Sequence, residues 1–224
     1  MADSKEMQLR ASKLYKKRSS FEMVWRQLRR NKGALLGLAL LIIIIIGALI
    51  APIVYDYDTD VIGMNVRERM QWPSARHICG TDDLGRDIFA RIVYGARYSL
   101  AVGFVAVIIA LIIGTALGAA AGYIGGVFEN IVMRVCDIFS SIPSVLMAIA
   151  VVSALGKSTA NLMLAVGIAS TAPFVRVARA AVLVVRGEEY VEAARAIGQP
   201  DWKIVIVHIL PNCLSQIIVQ ATLR

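Results

Sequence analysis

Long apolar blocks alternate with short polar stretches over most of this chain. The first block, GALLGLALLIIIIIGALIAPIV, fills residues 33–54, and roughly 20 mostly apolar residues are enough for one membrane-spanning helix. The same criterion predicts four complete spans and one partial span, at residues 33–54, 99–123, 134–155, 162–178 and 212–224. The expected fold class is therefore all-α and integral to the membrane.

The first block could instead belong to a secretory signal, because a basic stretch precedes it. A signal peptide has an apolar region of about 7–15 residues that is followed by a small-residue cleavage site. The block here is longer and has no clear site of that kind. This length favours an uncleaved spanning helix.

Positive charge is concentrated before the first block. Residues 1–32 contain ten Lys and Arg against three acidic residues, in a chain of net charge +8. A nucleic-acid-binding arm is one interpretation of such a tail. The other is a cytosolic flank, since Lys and Arg accumulate on the cytosolic side of membrane proteins. We adopt the second, which places the N-terminus in the cytosol and predicts no nucleic-acid partner.

Residues 55–98 then form an extracytoplasmic loop. Its second half is predicted to be a turn and an amphipathic helix on the membrane surface, because apolar residues recur at helical spacing at Ile88, Phe89, Ile92 and Val93. The turn, GTDDLGRD, could contact an outside partner. It could also be purely structural, with local ion pairs and caps made by Asp82, Asp83, Arg86 and Asp87. The structural interpretation is preferred.

Small and charged residues in the spans predict how the helices pack. Glycines four apart on the second span indicate a closely packed face: Gly114, Gly118 and Gly122. Pro143 predicts a kink in the third span, where Arg134 and Asp137 are spaced to pair across one turn. Three arginines follow the apolar run of the fourth span. A voltage sensor is one interpretation, but arginines so near the end of a span can reach the interface: Arg176, Arg179 and Arg186.

Residues 187–211 interrupt the apolar sequence on the predicted cytosolic side. Good helix formers predict a helix over 190–197, whose small side chains Ala193, Ala194 and Ala196 allow close approach to another protein. Gly198 suits the left-handed residue that ends a helix, and Pro200 suits the first turn of the next. The second helix should bury one apolar face and be interrupted at Pro211. The residues of that face are Trp202, Ile204, Val205 and Ile209. An ordinary amphipathic loop is the alternative.

The stretch EAARAIGQPDWKIVIVHILP resembles the EAA loop of ATP-binding-cassette importer permeases. That pattern is EAA, three residues, Gly, nine residues and Ile-x-Leu-Pro, and the departure here is His208 in place of Ile. HILPN, GTDDLGRDIFARIVYGARYSL and GYIGG are similar to the C-type permease subunit of the dipeptide, oligopeptide and nickel branch. The resemblance implies a MetI-like type I importer permease fold, and the chain would end within its fifth transmembrane helix.

The resemblance also implies a function and a set of partners. The chain would be a permease subunit for dipeptides or oligopeptides in a bacterial or archaeal cell membrane. Its partners would be a second, homologous permease, cytosolic ATPase subunits, an extracytoplasmic substrate-binding protein and membrane lipid. The ATPase-coupling residues would be Tyr190, Glu192, Ala193, Ala194, Arg195, Gly198, His208, Leu210 and Pro211. A nickel-type or glutathione-type importer of the same branch is the alternative.

Other kinds of chemistry find little support in the residues. The chain has no GxxxxGK[ST] loop, so ATP and Mg²⁺ are expected on partner subunits and no cofactor on this chain. A membrane-embedded enzyme would need HExxH, GxSxG or paired polar groups within a span, and a potassium-type channel would need a TVGYG filter. No metal site is expected at His77 and Cys79. The three cysteines are interpreted as packing residues: Cys79, Cys136 and Cys213.

Overall fold

The computed structural model describes Trp25 and residues 27–223. Across these residues the chain is helical, apart from loops and one isolated bridge between Thr81 and Asp87. It divides into two compact units, Met1–Arg97 and Tyr98–Arg224. Most of the predicted basic segment at residues 1–32 lies outside the described residues.

The first unit contains one long apolar helix, α1 (Lys32–Val54). Asn31 begins it, because its side-chain oxygen accepts a hydrogen bond from the backbone N–H of Ala34 at 3.2 Å. Most of its surface is apolar and exposed, and its buried residues are Ala48 and Ala51. Such a helix suits lipid on nearly all sides.

The polar loop after α1 is built from short turns. A π-turn occupies Tyr57–Val61 and a 3₁₀ turn occupies Val66–Glu68. Asp56 begins the first turn by accepting hydrogen bonds from the backbone N–H groups of Asp58 and Thr59, both at 3.0 Å. These two hydrogen bonds lower the pKa of Asp56 below its usual value.

The GTDDLGRD turn is held together by Asp82. Its carboxylate accepts from the backbone N–H groups of Leu84 and Arg86, both at 2.9 Å, and pairs with the side chains of Arg86 and Arg91. Partial burial opposes ionisation of this carboxyl group, but the hydrogen bonds from Arg86 and Leu84 outweigh it and lower the pKa to about 2. The preferred structural interpretation of this turn is confirmed for Asp82 and Arg86, whereas Asp83 is exposed.

Asp87 completes the turn and begins the next helix. It accepts from the backbone N–H of Ala90 at 2.9 Å and contacts Nδ1 of His77 at 2.8 Å. Burial raises the pKa of Asp87, but the Ala90 amide and His77 outweigh that effect and the net shift is downward. The predicted cap is therefore confirmed at this position.

The helix that Asp87 begins, α2 (Ile88–Ile124), is 37 residues long. We predicted a separate surface helix before a span at residues 99–123, but the structure has one continuous helix. No Pro and no strong cap separates the two parts in the sequence, so nothing ends the helix where the composition changes from amphipathic to apolar.

The predicted third span at residues 134–155 is two helices and not a kinked single one. They are α3 (Gly126–Ser141) and α4 (Ser144–Leu155), and their axes meet at 93°. Pro143 is the cause, because its ring excludes the helical conformation for the residue before it. Ile142 is accordingly extended, with φ −95° and ψ 126°.

The fourth predicted span, at residues 162–178, is part of a longer helical run. It consists of α5 (Thr159–Ala169) and α6 (Thr171–Val185), which meet at Ser170. The chain then forms α7 (Glu189–Ala196), α8 (Asp201–Lys203), a π-turn at Ile204–Ile209 and α9 (Leu210–Thr222). Among the described residues, four helical runs are long and apolar enough to cross a membrane, or five if α3 and α4 make one span.

The core of the second unit lies between α2 and α6. Gly114, Gly118 and Gly122 face α6 so closely that an added Cβ at Gly118 would lie 2.8 Å from the Cβ of Ala178. The predicted packed glycine face is therefore confirmed. The adjoining core also receives side chains from α7, the second π-turn and α9: Val191, Ala194, Ile204, Ile209, Cys213 and Ile217.

Charged residues on α6 pair with other helices. Arg176 reaches Asp137 of α3 at 3.1 Å, which corrects the expected pair between Arg134 and Asp137. Arg179 pairs with Glu129 of α3. Helix packing brings partners 39 and 50 residues apart together, and the local spacing of charges could not reveal this.

The cysteines are not all packing residues. Cys136 and Cys213 are buried as expected, but Cys79 is exposed. Among the described residues, no group of three or more His, Cys, Asp or Glu side chains is arranged to hold a metal ion.

Candidate functional site

Residues 187–211 form a helix, a tight turn and the start of a second helix. We term them the coupling segment, after the role that the resemblance implies for them. The first helix, α7, has Glu189 and Glu192 in its first turn and Arg195 in its last. Acidic residues near the N-terminus and a basic residue near the C-terminus both complement the helix dipole. An eight-residue helix with this charge distribution is stabilised locally before it contacts anything else.

Gly198 ends α7 in the left-handed conformation, with φ +76°. The backbone N–H of Gly198 donates to the carbonyl of Arg195 at 2.9 Å, and that of Gln199 donates to the carbonyl of Ala194 at 3.2 Å. These two hydrogen bonds define a Schellman motif, which favours glycine at this position. The predicted helix end at Gly198 is confirmed.

One face of α7 is buried in the chain's own core. Val191 is 0% exposed and Ala194 is 5% exposed, and both pack in a cluster with Ile204 and Ile209. Ala194 therefore packs inside this chain, although we expected all three alanines to offer a surface for another protein. Ala193 and Ala196 are exposed as expected.

The opposite face of α7 is exposed and mixed in character. It carries Tyr190, Glu192, Ala193 and Arg195. Partial burial and the negative charge of Glu188 raise the pKa of Tyr190 above its usual value. Ile197, which we did not predict as part of the site, is 75% exposed at the end of this face.

Pro200 and Pro211 occupy different positions from those expected. Pro200 immediately precedes α8 as its capping residue and is not in the first turn. Pro211 lies in the first turn of α9, which directly follows the π-turn at Ile204–Ile209. The helix that begins at Asp201 therefore continues through Pro211 to Thr222, whereas we predicted an interruption there.

The π-turn changes which residues of the second helix are buried. In a π-turn the hydrogen bonds run between residues five apart, as from the N–H of Leu210 to the carbonyl of Val205. This places Ile204 and Ile209 on the same face, and both are 0% exposed. Trp202, which we expected on that face, is 66% exposed and therefore lies outside the core.

His208 braces the turn inside the coupling segment. Its Nε2 lies 2.9 Å from the side-chain oxygen of Gln199, and its carbonyl accepts a hydrogen bond from Asn212 at 2.7 Å. Leu210 packs at the edge of the core, and Pro211 is exposed. His208 and Leu210 therefore support the shape of the segment from within.

The segment is also tied to the end of α2. The hydroxyl of Tyr123 donates to the carboxylate of Asp201 at 2.5 Å, and the guanidinium of Arg195 lies 5.2 Å from the centre of the Tyr123 ring. Arg186, just before the segment, donates to the carbonyl of Gly122 at 2.8 Å. Sequence reasoning missed Tyr123 and Asp201, because no local signal connects residues that are 78 positions apart.

Two family models match this chain, one near each end. Residues 114–224 match the family described as binding-protein-dependent transport system inner membrane component. Residues 19–73 match the N-terminal TM domain of oligopeptide transport permease C. The coupling segment lies wholly within the first match.

Individual relatives agree with the family matches. The dipeptide transport system permease protein DppC of Alkalihalophilus pseudofirmus is 46% identical over 205 residues, which are 92% of this chain and 67% of that protein. The glutathione transport system permease protein GsiD of Shigella sonnei is 40% identical over 207 residues, 92% of this chain and 68% of the relative.

Proposed function

Because the chain belongs to the family of binding-protein-dependent transport system inner membrane components, we propose that it forms one half of the translocation pathway of an ATP-driven importer of small peptides. It is a multi-pass inner-membrane permease with several apolar helices. In the proposed arrangement, a second, homologous permease supplies the other half. An extracytoplasmic binding protein delivers the peptide.

The coupling segment would connect this pathway to ATP hydrolysis. The observation that carries this proposal is the two-sided α7: Val191 and Ala194 are buried in the membrane domain's core, while Tyr190, Ala193 and Ile197 are exposed. A helix fixed on one side and open on the other can receive a partner and pass its displacement to the spans. The partner would be a cytosolic ATPase subunit that holds ATP and Mg²⁺, so this chain would need no catalytic or cofactor site.

The orientation of the chain follows from the same proposal. The coupling segment must face the cytosol, where the ATPase is. If α3 and α4 together make one span, four spans lie between residues 1–32 and the segment. An even number of crossings then places the basic N-terminal segment in the cytosol too, in accordance with the positive-inside rule. Residues 55–87 would lie outside the cell, where the binding protein arrives.

Dipeptides are the proposed cargo, and glutathione is the second candidate. The relative named for dipeptide transport is 46% identical, and the one named for glutathione transport is 40% identical. Thermal stabilisation of the cognate binding protein by one ligand and not by the other distinguishes them.

Gly198→Pro tests the coupling role. Proline cannot adopt the φ of +76° at this position and has no N–H to donate to Arg195. The change should distort the end of α7 while the spans still insert. We expect peptide uptake by the complete importer to fall about tenfold or more, in the range of coupling energies between distant sites.

Gly198→Asn is the matched control, because Asn tolerates the left-handed conformation. It should retain most of the uptake. Glu192→Arg should weaken uptake as well, because it reverses the charge on the exposed face of α7. Normal uptake by both Gly198→Pro and Glu192→Arg would refute the coupling assignment.

A further inference from the structure

Gly122 and Tyr123, next to the end of α2, are contacted by residues that lie before, within and after α7 in the sequence. Arg186, which precedes α7, donates to the carbonyl of Gly122 at 2.8 Å. Arg195, within α7, lies with its guanidinium 5.2 Å from the ring centre of Tyr123. Asp201, which follows α7, accepts from the Tyr123 hydroxyl at 2.5 Å. The three contacting residues therefore flank α7 or belong to it, and their contacts converge on one end of a spanning helix.

Polar and apolar contacts play different parts in holding α7. Val191 and Ala194 keep it against the core, but hydrophobic contact has no directional preference. Hydrogen bonds and a cation over an aromatic ring do depend on direction. The apolar contacts thus set how close α7 lies to the membrane helices, and the polar contacts set its orientation relative to α2.

We infer that Tyr123 and Asp201 are positioning residues that transmit a displacement of α7 to α2. The inference rests on the proposed function and adds the path of coupling to it. When a partner moves α7, the hydrogen bond and the stacked guanidinium would make the end of α2 follow. Without them, α7 could turn on its apolar contacts while α2 stays in place.

A purely structural role is the competing explanation. The three contacts differ in how much each should contribute to folding. Arg186 caps a backbone carbonyl at the end of α2, so its loss should harm the helix itself. The bond between Tyr123 and Asp201 joins two side chains at an exposed place. Water can solvate both groups after a substitution, so this bond should contribute little to folding.

The test measures peptide imported per ATP hydrolysed by the complete importer, with the full-length chain and all its partners reconstituted in vesicles. Tyr123→Phe keeps the ring under Arg195 and removes the hydroxyl. We expect it to lower this ratio about tenfold, within the range of allosteric couplings, while peptide-independent ATP hydrolysis stays near the wild-type rate. Asp201→Ala should have the same effect.

The double variant Tyr123→Phe/Asp201→Ala should lower the ratio no further than either single change, since both remove one interaction. Asp201→Asn retains a carbonyl oxygen that can accept from Tyr123, and it should keep most of the wild-type ratio. Tyr57→Phe removes a hydroxyl from the loop after α1 and is the matched control, with no expected change.

Three results would overturn the inference. One is a wild-type ratio in Tyr123→Phe, and another is a double variant whose loss is the product of the two single losses. The third is a fall of uptake and hydrolysis together, in proportion to the amount of assembled importer, which indicates a structural role alone. A wild-type importer whose hydrolysis does not respond to peptide-loaded binding protein would overturn the proposed function, and this inference with it.

Discussion

Asp82 organises the loop before α2 through hydrogen bonds and ion pairs. Its ionised carboxylate accepts all of these hydrogen bonds, whereas a protonated carboxyl group would accept fewer. It accepts from two backbone N–H groups and pairs with two arginines. Its pKa of about 2 is below the ordinary value of 3.8, so the folded loop favours the ionised form. By linkage, Asp82 contributes stability above pH 3.8, and this contribution is lost as the pH falls towards 2.

Asp82→Asn tests this contribution at the residue scale. At pH 7 we expect the protein to be destabilised by about 1.5–3 kcal/mol, the range for hydrogen bonds to a charged group. The difference in melting temperature between variant and wild type should shrink as the pH falls from about 4 to 2. Asp83→Asn is the control, because Asp83 is exposed. A difference that does not change with pH would contradict the assignment.

At the scale of the elements, the glycine face of α2 packs closely against α6. At Gly118 an added Cβ would lie 2.8 Å from the Cβ of Ala178 and 3.1 Å from the backbone nitrogen of Arg179. Close approach of this kind lets two backbones pack well where lipid supplies no hydrophobic force. The end of α2 that carries Tyr123 is thereby held beside α6 and the coupling segment.

Gly118→Leu should force α2 and α6 apart. Overpacking of a close contact costs about 1–3 kcal/mol and sometimes more, so we expect a lower melting temperature and a lower yield of monodisperse protein in detergent. Gly103→Leu is a matched control on the same helix, because no atom of another helix lies within 4 Å of a Cβ added there. Equal loss in the two variants would show that any large residue on α2 is harmful, whatever its position.

At the scale of the whole molecule, the proposed topology places the loop at residues 55–87 outside and the coupling segment inside. A native cysteine in the loop can be used to test this arrangement. Cys79 is exposed in the loop, whereas Cys136 and Cys213 are buried. A thiol reagent that cannot cross the membrane should therefore distinguish the two sides.

We expect Cys79 to react with such a reagent in intact cells. In a Cys79→Ser background, Lys203→Cys should react only after the membrane is permeabilised, because Lys203 is an exposed residue of the coupling segment. A gel shift with a mass-tagged reagent measures both. Labelling of Lys203→Cys in intact cells, or of Cys79 only after permeabilisation, would reverse the proposed orientation.

The sequence by itself was sufficient for features that depend on local chemistry. Apolar length predicted a multi-pass helical protein, because the bilayer requires a minimum number of apolar residues per helix. Glycines four apart predicted the packed face of α2, and Gly198 predicted the end of α7, because only a residue without Cβ meets these steric conditions easily. The motif over residues 192–211 indicated the family, because the pattern lies within one continuous segment and can be recognised without knowing the fold.

The tertiary structure decided everything that depends on which helices become neighbours. It pairs Asp137 with Arg176 and not with Arg134, and it joins Tyr123 to Asp201. It also selects a π-turn, which buries Ile204 with Ile209 and leaves Trp202 exposed. Partners far apart in sequence and a change in helical period arise from packing, so no spacing along the chain could have revealed them.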